Sequence, residues 1–139
     1  MKINLQKIKA IDDFEYIRIL RNTSYIRLNS LNKKIISKND HKNWLEKNND
    51  NNFFVLKNTK KNIGYIRISK KNYVSWALER NYWGKIKFSE HLKKTTNSKK
   101  LKYSCIILRY NIRSQIAALK AGFKLNKVIG EKIIFQKII

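Results

Sequence analysis

Three stretches in the middle of the chain constrain its fold most. "NFFVLKN" (52–58), "NIGYIRIS" (62–69) and "YVSWALE" (73–79) are rich in β-branched and aromatic residues. In the second, Tyr65, Arg67 and Ser69 alternate against Ile66 and Ile68, the period of a strand with two unlike faces. The connections are short and polar, too short for a parallel crossover, so an antiparallel meander is expected. The most apolar run, "LKYSCIILRY" (101–110), reads as a buried strand.

Other elements flank this frame. "INLQKI" (3–8) alternates and reads as a first strand. "DDFEYIRILRN" (12–22) places Phe14, Ile17, Ile19 and Leu20 at helical spacing, with Asp12 positioned to cap the start. "SKNDHKNWLEKNN" (37–49) reads as a second helix with Trp44 and Leu45 on its apolar side. A third helix is expected from Phe88 through "SEHLKK", followed by a loop, "TTNSKK", with almost nothing apolar to pack. "NIRSQIAALKAGF" (111–123) reads as a helix with Ile116, Ala118 and Leu119 inward and Gly122 ending it. "FKLNKVI" and "EKIIFQKII" close the chain as two strands turning at Gly130-Glu131. This order argues for an α/β (α+β) fold: one domain over 1–139, with a mixed central sheet of about seven strands and about four flanking helices.

Charge is the loudest feature of the composition. The 139 residues hold 32 Lys and Arg against nine Asp and Glu, a net charge of +23. Two readings fit: a polyanionic partner (nucleic acid, a nucleotide cofactor or a membrane surface), or the Lys, Asn and Ile usage that AT-rich coding favours. The lysines are spread along the chain, so charge alone marks no site. No apolar run approaches the ~20 residues that span a bilayer, and the N-terminus lacks a signal-peptide h-region, so a cytoplasmic location is expected. The single Cys105 excludes an intramolecular disulfide. With His41 and His91 far apart, no Cys/His metal site is expected.

Two motifs suggest chemistry. The helix "NIRSQIAALKAGFK" (111–124) follows the buried strand and carries N-x-x-S, then K-x-G-F, as Asn111, Ser114, Lys120, Gly122 and Phe123. "RNYWGKIKFSEHL" (80–92) follows the third meander strand. Together with the element order, these resemble the GNAT family of N-acetyltransferases over nearly the whole chain. The resemblance implies acetyl transfer from acetyl-CoA to a primary amine. The family's Y-W-G-K-G-x-A-S-E-A-L is mirrored by Tyr82, Trp83, Gly84, Lys85, Ser89, Glu90 and Leu92. Ile86 stands where the family has a second glycine, Phe88 where it has Gly or Ala, and Trp83 at its first basic or Gln position. In the family, backbone N–H groups here bind the CoA pyrophosphate, which places Trp83, Gly84, Lys85, Ile86, Lys87, Phe88 and Ser89 at the cofactor. A β-branched Ile86 with φ > 0 would be strained. Either the N–H groups converge with Lys85 and Lys87 adding charge, or Ile86 and Phe88 close the loop.

"LRNTSYIR" and "SKNDHKNWL" are similar to the acceptor region of nucleotide-sugar N-acetyltransferases, such as those that acetylate a 4-amino sugar in the pseudaminic acid pathway. The likeness implies Arg21, Asn22, Arg27, His41 and Trp44 as substrate-binding residues, and arginine and tryptophan suit a diphosphate and a flat ring. The family's splay between its fourth and fifth strands would expose backbone N–H groups near Ala77 and Leu78 to the thioester, with Asn111 and Ser114 alongside the pantetheine arm. Attack on a thioester needs a neutral amine, a stabilised oxyanion and a proton for the thiolate. Many relatives carry an acid Tyr seven residues after the Asn, a position held here by Ala118. Tyr103, Tyr110 and Cys105 are the substitutes, of which Cys105 also reads as a small core residue. Glu79 and His41 are the candidate bases. The catalytic set is therefore Glu79, His41 and Tyr110. The leading expectation is transfer to the amine of a nucleotide-linked sugar in surface glycan synthesis. The alternatives are acetylation of ribosomal or other protein N-termini, and a degenerate fold that binds anions or nucleic acid without catalysis.

Overall fold

The computed structural model of the chain describes residues 2–8 and 11–138, with the backbone only for 11 and 12. The expected Asp12 cap thus lies outside the described side chains. The elements run β1 (Ile3–Lys7), α1 (Ile11–Asn22), α2 (Ser24–Arg27), α3 (Lys38–Lys47), β2 (Asn52–Asn58), β3 (Lys61–Ile68), β4 (Val74–Leu78), α4 (Phe88–Thr95), β5 (Lys102–Leu108), α5 (Ile112–Lys120), β6 (Lys124–Ile129) and β7 (Lys132–Ile138). A 3₁₀ turn at Arg80–Tyr82 follows β4. The expected order holds, with the one-turn α2 added.

The meander is antiparallel, and β1 joins its edge to give the order β1-β2-β3-β4. The second half forms an antiparallel sheet of order β5-β7-β6. One parallel bridge, Tyr73 to Ser104, joins the two parts, backed by Ser104 N–H donating to Asn72 O at 3.0 Å. Beyond it β4 and β5 diverge. The mixed seven-stranded layer of the sequence reading is thus split down its middle.

Each face of the layer has its own core. Leu56, Ile63, Ile66, Leu92, Cys105, Phe123 and Phe135 pack between the sheets and α4 and α5. Ile17, Leu20, Phe53, Val55, Tyr65 and Ala77 pack under α1 and α3. Ile17 and Leu20 are the inward residues of α1, whereas Ile19, expected with them, is 55% exposed. A larger correction concerns α5. Ala118 and Ala121 are fully buried, but Ile116 and Leu119 are 47% and 54% exposed. The helix turns its small residues to the sheet, which allows close approach, and leaves its large ones outside. It ends as expected: Gly122 has φ +99°, Phe123 N–H donates to Ala118 O, and Gly122 N–H donates to Leu119 O.

The tail of α4 is anchored by polar rather than apolar contacts. Thr96 is fully buried; its hydroxyl donates to Leu92 O and accepts from Lys137 Nζ at 3.0 Å. Burial lowers the Lys137 pKa. No helix of the described residues is long and apolar enough to cross a membrane.

Gly64 on β3 serves close packing against β4. A Cβ there would sit 2.6 Å from Ala77 O, a backbone atom that cannot swing away. Gly64→Ala is expected to cost about 1–3 kcal/mol through overpacking, read as a lower midpoint in thermal or urea denaturation.

Candidate active site

The split between β4 and β5 exposes one edge of β4. Glu79 N–H donates to Ile63 O at 2.8 Å and Ser69 N–H to Tyr73 O at 2.9 Å. With the register Tyr65 to Ala77 and Arg67 to Ser75, the odd-numbered residues of β4 therefore bond to β3. Trp76 and Leu78 turn their polar backbone groups the other way, into the split. Of the two expected donors, Ala77 spends its N–H in the ladder and Leu78 does not. The Leu78 carbonyl accepts from Trp83 Nε1 at 2.9 Å, and among the described residues the Leu78 N–H has no backbone partner.

A cleft of about 500 Å³ opens along this edge. Its walls include Trp76 and, except for Lys85, all of the expected cofactor residues: Ala77, Leu78, Trp83, Gly84, Ile86, Lys87, Phe88, Ser89, Asn111 and Ser114. Gly84 has φ +74°, the left-handed geometry that glycine tolerates. Ile86 is absent from the positive-φ residues, so the loop turns without straining it. Ile86 and Phe88 pack against the core behind the loop while forming part of the cleft wall, and Phe88 meets Trp76 at 6.3 Å. They line the cleft without filling it. Lys85 N–H donates to Tyr82 O and Glu90 N–H to Lys87 O. Among the described residues, the N–H groups of Gly84, Ile86 and Lys87 donate to no backbone carbonyl. Those of Phe88 and Ser89 open α4 and have no helical partner. Lys87, Arg113 and Lys120 add positive charge, against Glu90 alone. The Arg113 guanidinium lies 3.4 Å from the Trp83 ring centre, and Tyr25 meets that ring edge-on at 5.5 Å.

The N-x-x-S motif has a local explanation. Asn111 caps α5: its Oδ1 accepts from Ser114 N–H at 3.3 Å, and its Nδ2 donates to Asn29 O at 3.4 Å. Asn29, Ser30, Trp76, Asn111 and Ser114 line this cleft and also a second one of about 520 Å³. The two clefts meet at the head of α5.

The second cleft lies on the α1 and α3 side. Arg21, His41 and Trp44 line it, as expected from the sequence. His41 is buried, and its ring stacks parallel to Trp44 at 6.4 Å. Burial and the nearby Arg18 cation lower the His41 pKa, so the imidazole is neutral at neutral pH. Two expected binding residues instead hold the loop between α2 and α3. Asn22 pairs its amide with both backbone groups of Ile36, and Arg27 donates to Lys33 O. Arg18 also donates to Ile36 O, and Arg21 to Asn32 O.

Glu79 and Tyr110 lie outside the lining of both clefts. Glu79 accepts from the Tyr16 hydroxyl at 2.5 Å. Tyr110 donates to Leu28 O, with Lys33 over its ring. Of the other acid candidates, Tyr103 is buried with its oxygen 3.4 Å from Ser98 N. Cys105 lines the second cleft, with burial pushing its thiol pKa up to about 12. Sequence reasoning missed Tyr65, Arg67 and Ser75, which also line the second cleft. For Tyr65 and Arg67 the signal was the alternation in "NIGYIRIS", an arginine on one face of an inner strand two residues from a tyrosine.

No family model matches the chain, and no curated protein matches it. Solved structures do. A domain from Methanocaldococcus jannaschii DSM 2661 superposes with a TM-score of 0.81 at 22% identity, covering 99% of both chains. The spermidine N-acetyltransferase from Vibrio cholerae, in complex with CoA and spermine, gives 0.77 at 14% identity, covering 96% of this chain and 92% of that one. A GNAT-family acetyltransferase from Bacillus anthracis gives 0.76 at 16% identity, covering 99% and 95%. The chain therefore has the fold of the GNAT acetyltransferases.

Proposed function

We propose that the protein is an N-acetyltransferase that moves the acetyl group of acetyl-CoA to a primary amine, the amine of a nucleotide-linked sugar being the favoured acceptor. The observation that carries this reading is the first cleft. There the free edge of β4 meets the unbonded N–H groups of the Gly84–Ser89 loop beside Lys87, Arg113 and Lys120. A pyrophosphate suits those N–H groups and cations. A thioester carbonyl suits the N–H of Leu78, which is turned into the split and fixed by the Trp83–Leu78 hydrogen bond. Acetyl-CoA supplies an activated acyl group. The chain supplies position, an oxyanion donor and a base.

The base is His41. It lines the acceptor cleft, is neutral at neutral pH, and makes no side-chain hydrogen bond among the described residues. As the base it takes the proton that an ammonium must lose before its nitrogen attacks. The nucleotide-sugar acceptor rests on the cleft's arginines and on its meeting the first cleft at the head of α5.

Calorimetric titration with acetyl-CoA at two salt concentrations, with ATP as a polyanion control, tests the cofactor. Micromolar binding that survives salt and is absent for ATP is expected. Binding no better than that of ATP and lost with salt would leave a basic anion-binding module.

The His41 pKa is depressed, so its base form persists below the ordinary ~6.5. The acid limb of kcat/KM should centre below about pH 6.5, and His41→Gln should abolish that limb and lower the plateau about 10²-fold or more. The same depression contributes stability that is full above about pH 6.5 and lost as pH falls through the folded pKa.

A further inference from the structure

We propose that Arg67 is the anion-binding group of the second cleft, and that with Arg21 it selects an acceptor amine bearing a phosphoryl or similar oxyanion over polycationic amines. This rests on the acetyl-transfer reading and deepens it by naming the acceptor's charge.

Arg67 stands on β3, an inner strand, with its side chain held from two sides. Its Nε donates to Ser75 Oγ at 3.1 Å, and its guanidinium carbon lies 5.1 Å from the centre of the Trp44 ring. Those contacts fix the plane of the fork. Among the described residues neither Nη makes a hydrogen bond and neither is fully sealed off, and the residue lines the cleft, so its remaining donors are available there. Trp44, expected as a platform for a flat ligand, has one face occupied by Arg67 and acts by orienting it.

Arg21 points to the same need. Its Nη2 donates to Asn32 O, while its Nη1 is buried without a partner. Burial lowers the pKa of both guanidiniums, the mark of cations removed from water without an ion pair. The ion pairs among the described residues involve Arg18 and Lys70, not these two. Tyr65 senses both arginines as neighbours in the same cleft. The cleft's one acidic residue is Asp40, which is exposed. A polyamine would meet two desolvated cations and one solvated carboxylate. A phosphoryl group would meet a preoriented fork and an unsatisfied donor.

The test is titration of the full chain, saturated with CoA so that its phosphate-binding groups are taken, with UDP, glucosamine 6-phosphate and spermidine. At about 0.15 M salt, charges beyond about 8 Å are screened. UDP or glucosamine 6-phosphate should bind more tightly than spermidine, and the better of the two identifies the source of the oxyanion. Arg67→Gln should weaken that binding about tenfold or more, and Arg67→Lys should recover part of it. Retained CoA affinity in both variants certifies the fold. Spermidine binding more tightly than either anion, or anion binding unchanged in Arg67→Gln, would overturn the proposal. If CoA does not bind the unaltered chain, the acetyl-transfer reading fails, while the dependence of anion binding on Arg67 still decides this one.

Discussion

The structure depends on a place where two strands stop pairing. β4 and β5 meet at Tyr73 and Ser104 and then separate, which strands the backbone polar groups of Trp76 and Leu78 in the middle of the layer. A strand edge left open inside a fold must be satisfied by something else. Trp83 satisfies one group, the Leu78 carbonyl, by folding its indole back across the turn. The remaining groups face the cleft, where a ligand or water completes them. The same divergence lets the head of α5 sit over the gap, with Asn111 tied to the loop at Asn29. The geometry of the clefts follows from incomplete strand pairing more than from any single side chain.

The charge imbalance shapes the details around that gap. With nine acids for 32 Lys and Arg, most cations have no carboxylate to meet. Arg18 meets both Glu15 and a carbonyl, while Arg21, Arg27, Arg67 and Arg113 meet carbonyl oxygens or aromatic faces instead. Arg18, Arg21 and Arg27 hold the loop between α2 and α3 by its carbonyls, and Arg67 and Arg113 lie over Trp44 and Trp83. Such contacts orient a guanidinium without neutralising it. The clefts are thus lined by cations in fixed directions whose charge remains available.

Much of the architecture was legible in the residues. The period-two alternation of 62–69 and the short polar links determined the meander, because a one-residue slip would turn every apolar side chain to the wrong face. The Gly84 turn and the Gly122 stop were legible for a similar reason, since each answers a local backbone demand, whereas Asn111 was read only for a ligand and the structure shows it capping α5. The direction of α5 was not. Its spacing accommodates either face, and the packed fold buried Ala118 and Ala121 while leaving Ile116 and Leu119 half exposed.

The site divides along the same line. The sequence by itself determined the loop of the first cleft and the helix head beside it, since both are contiguous stretches whose hydrogen bonds close within a few residues. Only the tertiary structure decided the second cleft. It brought Tyr65, Arg67 and Ser75 from the meander against Arg21 on α1 and against His41 and Trp44 on α3. It also removed Glu79 to Tyr16, Tyr110 to Leu28, and Asn22 and Arg27 to the loop they hold. The physical reason is range. A cap or a turn is settled by neighbours in the chain, whereas the partner of a long polar side chain is settled by whichever surface the packed fold places within its reach.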